Sequence, residues 1–185
     1  VISGVRVGPS PEWMARRLEA LGMRAINNVV DVSNYVMLEL GQPNHAYDLS
    51  TIGGGFSVRM ARDGETLTTL DDVERSCTVD DLLICDGNDV PVGLGGVMGG
   101  ADSEISDSTT EVVLEIAWFA PLGIMKTASR HGLRSEASAR YERGVDPASV
   151  ETGLALAVQM ILEICGGTVC APVTAGAIPD SNKTV

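Results

Sequence analysis

The chain has 185 residues, of which 44% are hydrophobic and 21% charged, a composition typical of a globular protein with a full core. Its formal net charge of −12 argues against a protein that alone grips a long nucleic acid over a wide face. No apolar run approaches the roughly 20 residues that a membrane helix needs, and no signal peptide opens the chain. We therefore expect a cytoplasmic protein without membrane contact.

The length predicts one domain or two small lobes packed closely together. The chain begins with Val1 rather than methionine, which suggests a piece of a longer protein. The four cysteines, Cys77, Cys85, Cys165 and Cys170, show no CxxC spacing, and the two histidines are far apart in the sequence. This pattern predicts free, mostly buried thiols and no metal site.

The first predicted helix starts at residues 10–12, with Ser10 as N-cap and a proline at the first helical position. Met14, Leu18 and Leu21 recur at helical spacing and are expected to form its buried stripe. Gly22 is expected to end the helix.

A second, largely buried helix is predicted from Val29 to Leu40, because apolar residues recur almost all round it. Gly41 provides a stop signal, and the proline at position 43 cannot continue the helix. His45 is then expected in a tight turn formed by residues 42–45. Polar groups on a buried helix must find partners or bind something, since leaving them unpaired is costly.

A run of short strands follows. Phe56 to Met60 alternates as a strand, residues 67–70 and 73–77 can pair as a hairpin, and residues 82–85 form another strand. Because these strands are short and closely spaced, mainly antiparallel pairing is predicted.

Residues 90–100 include five glycines, a density that predicts close approach of the backbone to another group. The segment lacks the Gly-Lys-Ser/Thr end of a phosphate-binding loop, although its N–H groups could donate to a ligand oxygen. The most apolar strand, residues 112–119, contains one carboxylate, Glu115. Glu115 needs a partner, which could be water, an internal arginine or a ligand.

The last third of the chain reads as mainly helical. Helices are predicted from Pro121 to Arg130, within residues 133–144, and after Asp146. A strand at 168–173 and an exit linker at 176–185 are predicted to follow. The expected stripe of the long helix is Val150, Leu154, Val158, Ile161, Leu162 and Cys165. Residues 126–143 hold five basic residues, which fit either a solvated helix face or a small phosphate-facing patch.

A serine–histidine–glutamate triad is disfavoured, because no Gly-x-Ser-x-Gly sequence occurs. What remains is a polar pocket that would combine Arg24, Asn27, His45, the glycine-rich segment and Glu115.

Four segments carry a family resemblance: residues 24–48 (RAINNVVDVSNYVMLELGQPNHAYD), 96–100 (GVMGG), 114–119 (LEIAWF) and 135–147 (SEASARYERGVDP). Over residues 8–175 the chain closely resembles the B3/B4 editing domain of the bacterial-type phenylalanyl-tRNA synthetase beta subunit. The resemblance implies a three-layer α+β fold with a β-sandwich of unusual topology and flanking helices. The domain would span residues 1–175 as two intimately packed sub-lobes.

The resemblance also implies hydrolysis of tyrosyl-tRNA(Phe) made in error. In the family, positions matching Glu115 and the backbone N–H of Gly99 read the tyrosine hydroxyl, and those matching His45, Asn27 and Arg24 serve the reaction. The remaining substrate-binding positions would be Ser33, Ser135 and Ala137. Ser33 and Ser135 stand where the family commonly has threonine, so the hydroxyl is kept and a methyl group is lost.

The resemblance further implies no cofactor in this part, with ATP and magnesium used by the whole synthetase. Expected partners are the alpha subunit in a heterotetramer, the aminoacylated 3′ end of tRNA(Phe), and tyrosine as the editing ligand. A non-catalytic scaffold or binding module of the beta subunit remains an alternative.

Overall fold

The computed structural model describes residues 1–177. In this range the strands are β1 (Ile2–Ser3), β2 (Asn44–Asp48), β3 (Phe56–Met60), β4 (Thr66–Thr68), β5 (Glu74–Ser76), β6 (Leu82–Asp86), β7 (Pro91–Leu94), β8 (Met98–Gly99), β9 (Glu111–Ile116) and β10 (Thr168–Val169). The helices are α1 (Glu12–Ala20), α2 (Asn28–Leu40), α3 (Pro121–Arg130), α4 (Glu136–Tyr141) and α5 (Ser149–Cys165). No helix in the described range is long and apolar enough to span a membrane.

The strands form two four-stranded sheets and one hairpin. The first sheet has the order β10-β1-β9-β2, the second has the order β3-β6-β7-β8, and β4 pairs with β5. Every pairing between these strands is antiparallel. The predicted α+β class and the antiparallel pairing are therefore confirmed.

The first hydrophobic core lies between the first sheet and helices α2 and α5. Helix α2 contributes Val29, Val32 and Val36, which recur at helical spacing, and α5 contributes Ala157 and Ile161. All five of these side chains are fully buried. The predicted central helix is confirmed, including its end at residue 41, where the backbone is left-handed.

The second core lies around the second sheet, where Leu83 and Leu94 pack with Ile124 of α3 and Tyr141 of α4. Strand β2 belongs to both cores. Its Ala46 side chain packs in the first core and its Tyr47 side chain in the second, because successive side chains of a strand point to opposite faces. Strand β2 thus runs along the junction of the two clusters.

Two predictions at the N-terminal half are wrong. Ser10 is not the N-cap of α1; the cap position is Pro11, and the Ser10 hydroxyl donates to the Asp31 carboxylate instead. Leu21 is 66% exposed, because α1 ends one residue earlier and the chain turns away from the core there.

The predicted turn at His45 is also wrong, since His45 lies inside strand β2. Strand β9 offers five residue pairs to residues 44–48, and this ladder satisfies their backbone groups better than a tight turn would.

The apolar stripe of α5 is rotated from the prediction. Its buried residues are Gly153, Ala157, Met160, Ile161 and Cys165. The small residues lie innermost because the chain packs closely there: a Cβ atom at position 153 would lie 2.9 Å from Cγ of Gln42. The four other residues of the predicted stripe, Val150, Leu154, Val158 and Leu162, are only partly buried.

Strand β3 has the predicted bounds. Its apolar residues are exposed, because β3 is an edge strand whose outer face is not covered by another described element. The last strand is shorter than predicted, covering only Thr168–Val169. Of the predicted linker at 176–185, residues 178–185 lie outside the described range.

Candidate functional site

The candidate site is built on the pairing of β2 with β9. In this register His45 lies directly opposite Glu115, and Tyr47 lies on the same face of β2 as His45. Opposite side chains of an antiparallel pair approach within about 5 Å at Cβ. Register alone therefore brings together two polar residues that are 70 positions apart in the sequence.

Glu115 accepts a hydrogen bond on Oε2 from the Tyr47 hydroxyl, at 2.6 Å. The partner is thus a tyrosine rather than the water or internal arginine considered from the sequence. Glu115 is partly exposed, yet its surroundings are dry enough that burial raises the pKa of its carboxyl group to about 7. The Tyr47 hydrogen bond opposes this rise, since it favours the ionised form. Within residues 1–177, Oε1 of Glu115 takes part in no hydrogen bond.

The His45 ring has no hydrogen-bond partner among residues 1–177. Its Nε2 atom is buried and forms no hydrogen bond within the described part of the chain. The ring packs edge-on against the Tyr47 ring, with centroids 4.5 Å apart. Burial lowers the pKa of His45 to about 4, so the imidazole is neutral at pH 7. A neutral ring nitrogen of this kind can form a hydrogen bond with a ligand.

Gly99, in β8, covers His45. A Cβ atom at position 99 would lie 2.4 Å from Nε2 of His45 and 3.3 Å from Cδ1 of Leu70, so a larger residue would collide with the ring. This close approach is the one that the glycine-rich segment predicts. The structure therefore brings His45, Glu115 and Gly99 together.

Ser135 and Ala137 lie on the other side of the glycine-rich segment. Ser135 is the N-cap of α4, where its Oγ accepts from the Ser138 N–H at 3.0 Å. The same hydroxyl donates to the Val97 carbonyl and so attaches α4 to the glycine-rich segment. Ala137 packs against the second core. Ser135 thus borders the segment that reaches His45 through Gly99.

The remaining predicted site residues lie on or near α2. Asn27 caps this helix, because its Oδ1 accepts from the Val30 N–H at 2.9 Å. Arg24 is exposed in the loop before the helix. Ser33 donates to the Asn44 carbonyl at 2.9 Å, directly beneath the residue that precedes His45. No hydrogen bond among residues 1–177 joins Arg24 or Asn27 to Glu115, and their roles in a reaction stay predictions.

Sequence reasoning missed two tyrosines. Tyr47 follows His45 by two positions and would have been placed beside it had residues 44–48 been recognised as a strand. The Tyr141 hydroxyl donates to the carbonyls of Pro43 and Ala117, at 3.1 and 3.0 Å. These carbonyls lie at the adjoining ends of β2 and β9, so α4 closes that end of the pair.

A depression lies beside α4 rather than at Glu115. It has a volume of about 590 Å³, is open to solvent, and is lined by Arg134, Ser135, Glu136, Ala139, Arg140 and Arg143. Two of its arginines are already paired: Arg134 with Glu142 at 3.1 Å and Arg140 with Glu136 at 2.7 Å. The depression shares Ser135 with the surroundings of the glycine-rich segment.

Cys77, Asp81 and His131 are brought together by the fold, with one ligand-type atom from each lying within 4.8 Å of the others. The sequence did not predict this juxtaposition. Both Asp81 oxygens are already used, by Thr127 and Arg130 on Oδ1 and by His131 on Oδ2. Burial also raises the pKa of the Cys77 thiol to about 11, which disfavours the thiolate that binds metals. The cluster fits a structural ion pair better than a metal site.

Comparisons with known proteins give a family and a set of relatives. The model of the B3/4 domain family matches residues 1–166. The chain is 56% identical over 174 residues to the phenylalanine--tRNA ligase beta subunit of Anaeromyxobacter dehalogenans, covering 94% of this chain and 22% of that protein. It is 51% identical over 176 residues to the beta subunit of Synechococcus elongatus, covering 91% and 22%. The chain thus spans about a fifth of the length of the curated relatives it matches.

Among solved structures, the chain is similar to an N-terminal fragment of the phenylalanyl-tRNA synthetase beta subunit from Pyrococcus horikoshii. The TM-score is 0.46 and the sequence identity is 12%, over 70% of this chain and 43% of that one.

Proposed function

The chain belongs to the B3/4 domain family, and from this premise we propose that it is the editing domain of a phenylalanine--tRNA ligase beta subunit. Its reaction would be the hydrolysis of the ester in tyrosyl-tRNA(Phe), which frees the tRNA for phenylalanine. The assignment to this parent enzyme is supported by the names of its relatives. Those relatives are 56% and 51% identical to this chain, over alignments that cover 94% and 91% of it.

The observation that carries the proposal is the pairing of Glu115 with His45 beneath Gly99. Tyrosine differs from phenylalanine by one hydroxyl group, and an apolar pocket rejects such an addition poorly. A site that hydrogen-bonds the hydroxyl discriminates much better, because phenylalanine would leave the site's own polar group buried and unpaired. Oε1 of Glu115 is available for this bond while Oε2 is held by Tyr47.

The reaction needs little from the protein beyond placement. An aminoacyl ester is already activated, so a positioned water molecule can attack its carbonyl carbon. His45 is neutral at pH 7 because burial lowers its pKa to about 4. Its Nε2 atom is therefore a weak base, suited to orienting the water or the ester by hydrogen bonding rather than to forming a covalent intermediate.

The tRNA end would approach from the side of α4. Arg134, Arg140 and Arg143 line the depression next to Ser135 and offer positive charge to terminal phosphates. The net charge of −12 indicates that other modules hold the tRNA body. In this proposal the other modules of a cytoplasmic synthetase use ATP and magnesium and bind the alpha subunit.

The test is deacylation of tyrosyl-tRNA(Phe) and phenylalanyl-tRNA(Phe) by the assembled synthetase that carries this domain. Glu115→Ala is expected to abolish the preference for the tyrosyl ester while aminoacylation with phenylalanine is unchanged. The matched control is Glu111→Ala, on the same strand but exposed, where Glu111 accepts from the Ser3 hydroxyl at 2.9 Å. Loss of subunit assembly in Glu115→Ala, with editing unaffected in the remaining complex, would favour a scaffold instead.

A further inference from the structure

The Tyr47 hydroxyl is the hydrogen-bond donor to Glu115 within the described residues, and its placement is rigid. The side chain is 1% exposed, and its ring packs against His45 at 4.5 Å and against Phe56 at 5.1 Å between centroids. A Cβ atom at Gly93 would lie 3.4 Å from the hydroxyl oxygen, so β7 packs directly against it. These contacts hold the hydroxyl beside the carboxylate, to which it donates at 2.6 Å.

We propose that Tyr47 is the positioning residue of the substrate-reading carboxylate: its phenol holds Oε2 of Glu115 and leaves Oε1 for the hydroxyl of a bound phenol. The identity of that ligand rests on the proposed function, whereas the positioning does not. A glutamate side chain has three rotatable bonds, and a fixed hydrogen bond on one oxygen leaves the other in one place.

The groups around Glu115 leave the Tyr47 hydrogen bond as the contact that favours its ionised form. The groups that face the carboxylate are His45 and Tyr47 from β2 and Tyr141 from α4. His45 is neutral at pH 7, and the Tyr141 hydroxyl is directed to two backbone carbonyls. No cation within residues 1–177 contributes to the raised pKa of about 7, whose causes are burial and, in opposition, the Tyr47 bond. Without Tyr47 nothing in this set would favour the ionised carboxylate.

Tyr47→Phe removes only the hydroxyl, and Tyr141→Phe is its matched control. Tyr141 is equally buried, and the two carbonyls it serves keep a second donor in the side-chain amide of Gln42. Carbon-13 NMR of the glutamate carboxyl groups would follow the titration of Glu115, assigned by its loss in Glu115→Gln. The midpoint of the Glu115 titration is expected to rise by about one pH unit in Tyr47→Phe. It should stay unchanged in Tyr141→Phe. An unchanged midpoint in Tyr47→Phe would overturn the proposal.

A measurement on the unaltered chain keeps the proposal testable if Tyr47→Phe does not fold. The Tyr47 hydroxyl proton is expected to give a slowly exchanging, downfield proton resonance, because it is buried in a charge-assisted bond. It should shift upfield in Glu115→Ala. A rapidly exchanging hydroxyl would contradict the rigid contact.

The effect on recognition separates this proposal from the proposed function. Binding of tyrosine and of phenylalanine would be measured at pH 7 and pH 9. In Tyr47→Phe the preference for tyrosine is expected to fall about tenfold at pH 7. At pH 9 it should recover only in part, because the carboxylate is ionised again but is no longer held in place by the Tyr47 hydroxyl. If Tyr47 had only a structural role, Tyr47→Phe would weaken the binding of tyrosine and of phenylalanine equally at both pH values. That result would overturn the proposal. If the unaltered chain shows no preference for tyrosine, the proposed function fails. The midpoint of the Glu115 titration in Tyr47→Phe would still test whether Tyr47 positions the carboxylate.

Discussion

Glu115→Gln is expected to change how the stability of the chain depends on pH. Burial raises the pKa of Glu115 from 4.5 to about 7 in the folded chain. Below pH 4.5 the group is protonated in both states, and its contribution to stability is fully present. As the pH rises through the folded pKa of about 7, the ionised unfolded state is favoured and that contribution is lost. At about 1.4 kcal/mol per pH unit, the loss amounts to about 3 kcal/mol at most, since the carboxyl group is partly exposed.

Glutamine keeps an oxygen that can accept the Tyr47 hydroxyl but does not ionise. The free energy of unfolding of Glu115→Gln, minus that of the unaltered chain, is therefore expected to increase by up to about 3 kcal/mol between pH 4.5 and pH 8. Urea denaturation followed by far-ultraviolet circular dichroism, at steps of half a pH unit, would measure this difference. The exposed Glu111→Gln serves as the control, with a flat difference expected. A difference for Glu115→Gln that does not change with pH would refute the account of a carboxyl group desolvated by the fold.

Two pairs of substitutions test the packing around the site and around α1 by the same denaturation assay. Gly99→Ala is expected to destabilise the chain by about 1–3 kcal/mol, because its Cβ would lie 2.4 Å from His45 Nε2. Gly123→Ala has open space at an exposed position of α3 and should stabilise the chain by about 0.5–1 kcal/mol. Equal effects of the two changes would contradict the contact with His45. Leu18→Ala is expected to lower the free energy of unfolding by about 2–5 kcal/mol, because Leu18 is fully buried. Leu21→Ala should lower it by less than about 0.5 kcal/mol, because Leu21 is 66% exposed. A large loss in Leu21→Ala would instead support the buried stripe expected from the sequence.

Much of the fold could be predicted because the signals are local. Helix α3 was predicted with its observed bounds, since a proline opens it and Gly132 follows it. The hairpin of β4 and β5 was predicted from the two aspartates in its turn, of which Asp72 adopts a left-handed backbone at φ 59°. Such signals act over a few residues and need no knowledge of what packs around them.

The candidate site was predictable as a set of residues but not as an arrangement. His45, Glu115 and Gly99 could be named from their motifs, yet His45 was placed in a turn rather than a strand. Segment 42–48 carries turn residues, and only the ladder with β9 makes it extended. The contact of Tyr47 with Glu115 follows from that ladder and was therefore missed.

The sequence by itself determined the helices, most of the strands, the antiparallel pairing of the sheets, and which polar residues are costly to bury unpaired. The tertiary structure alone decided which of those residues meet. Strand register sets His45 against Glu115, and the depth of burial sets their pKa values near 4 and 7. The physical reason is that propensity and capping act within a few residues, whereas desolvation and pairing depend on groups that the fold brings in from elsewhere in the chain.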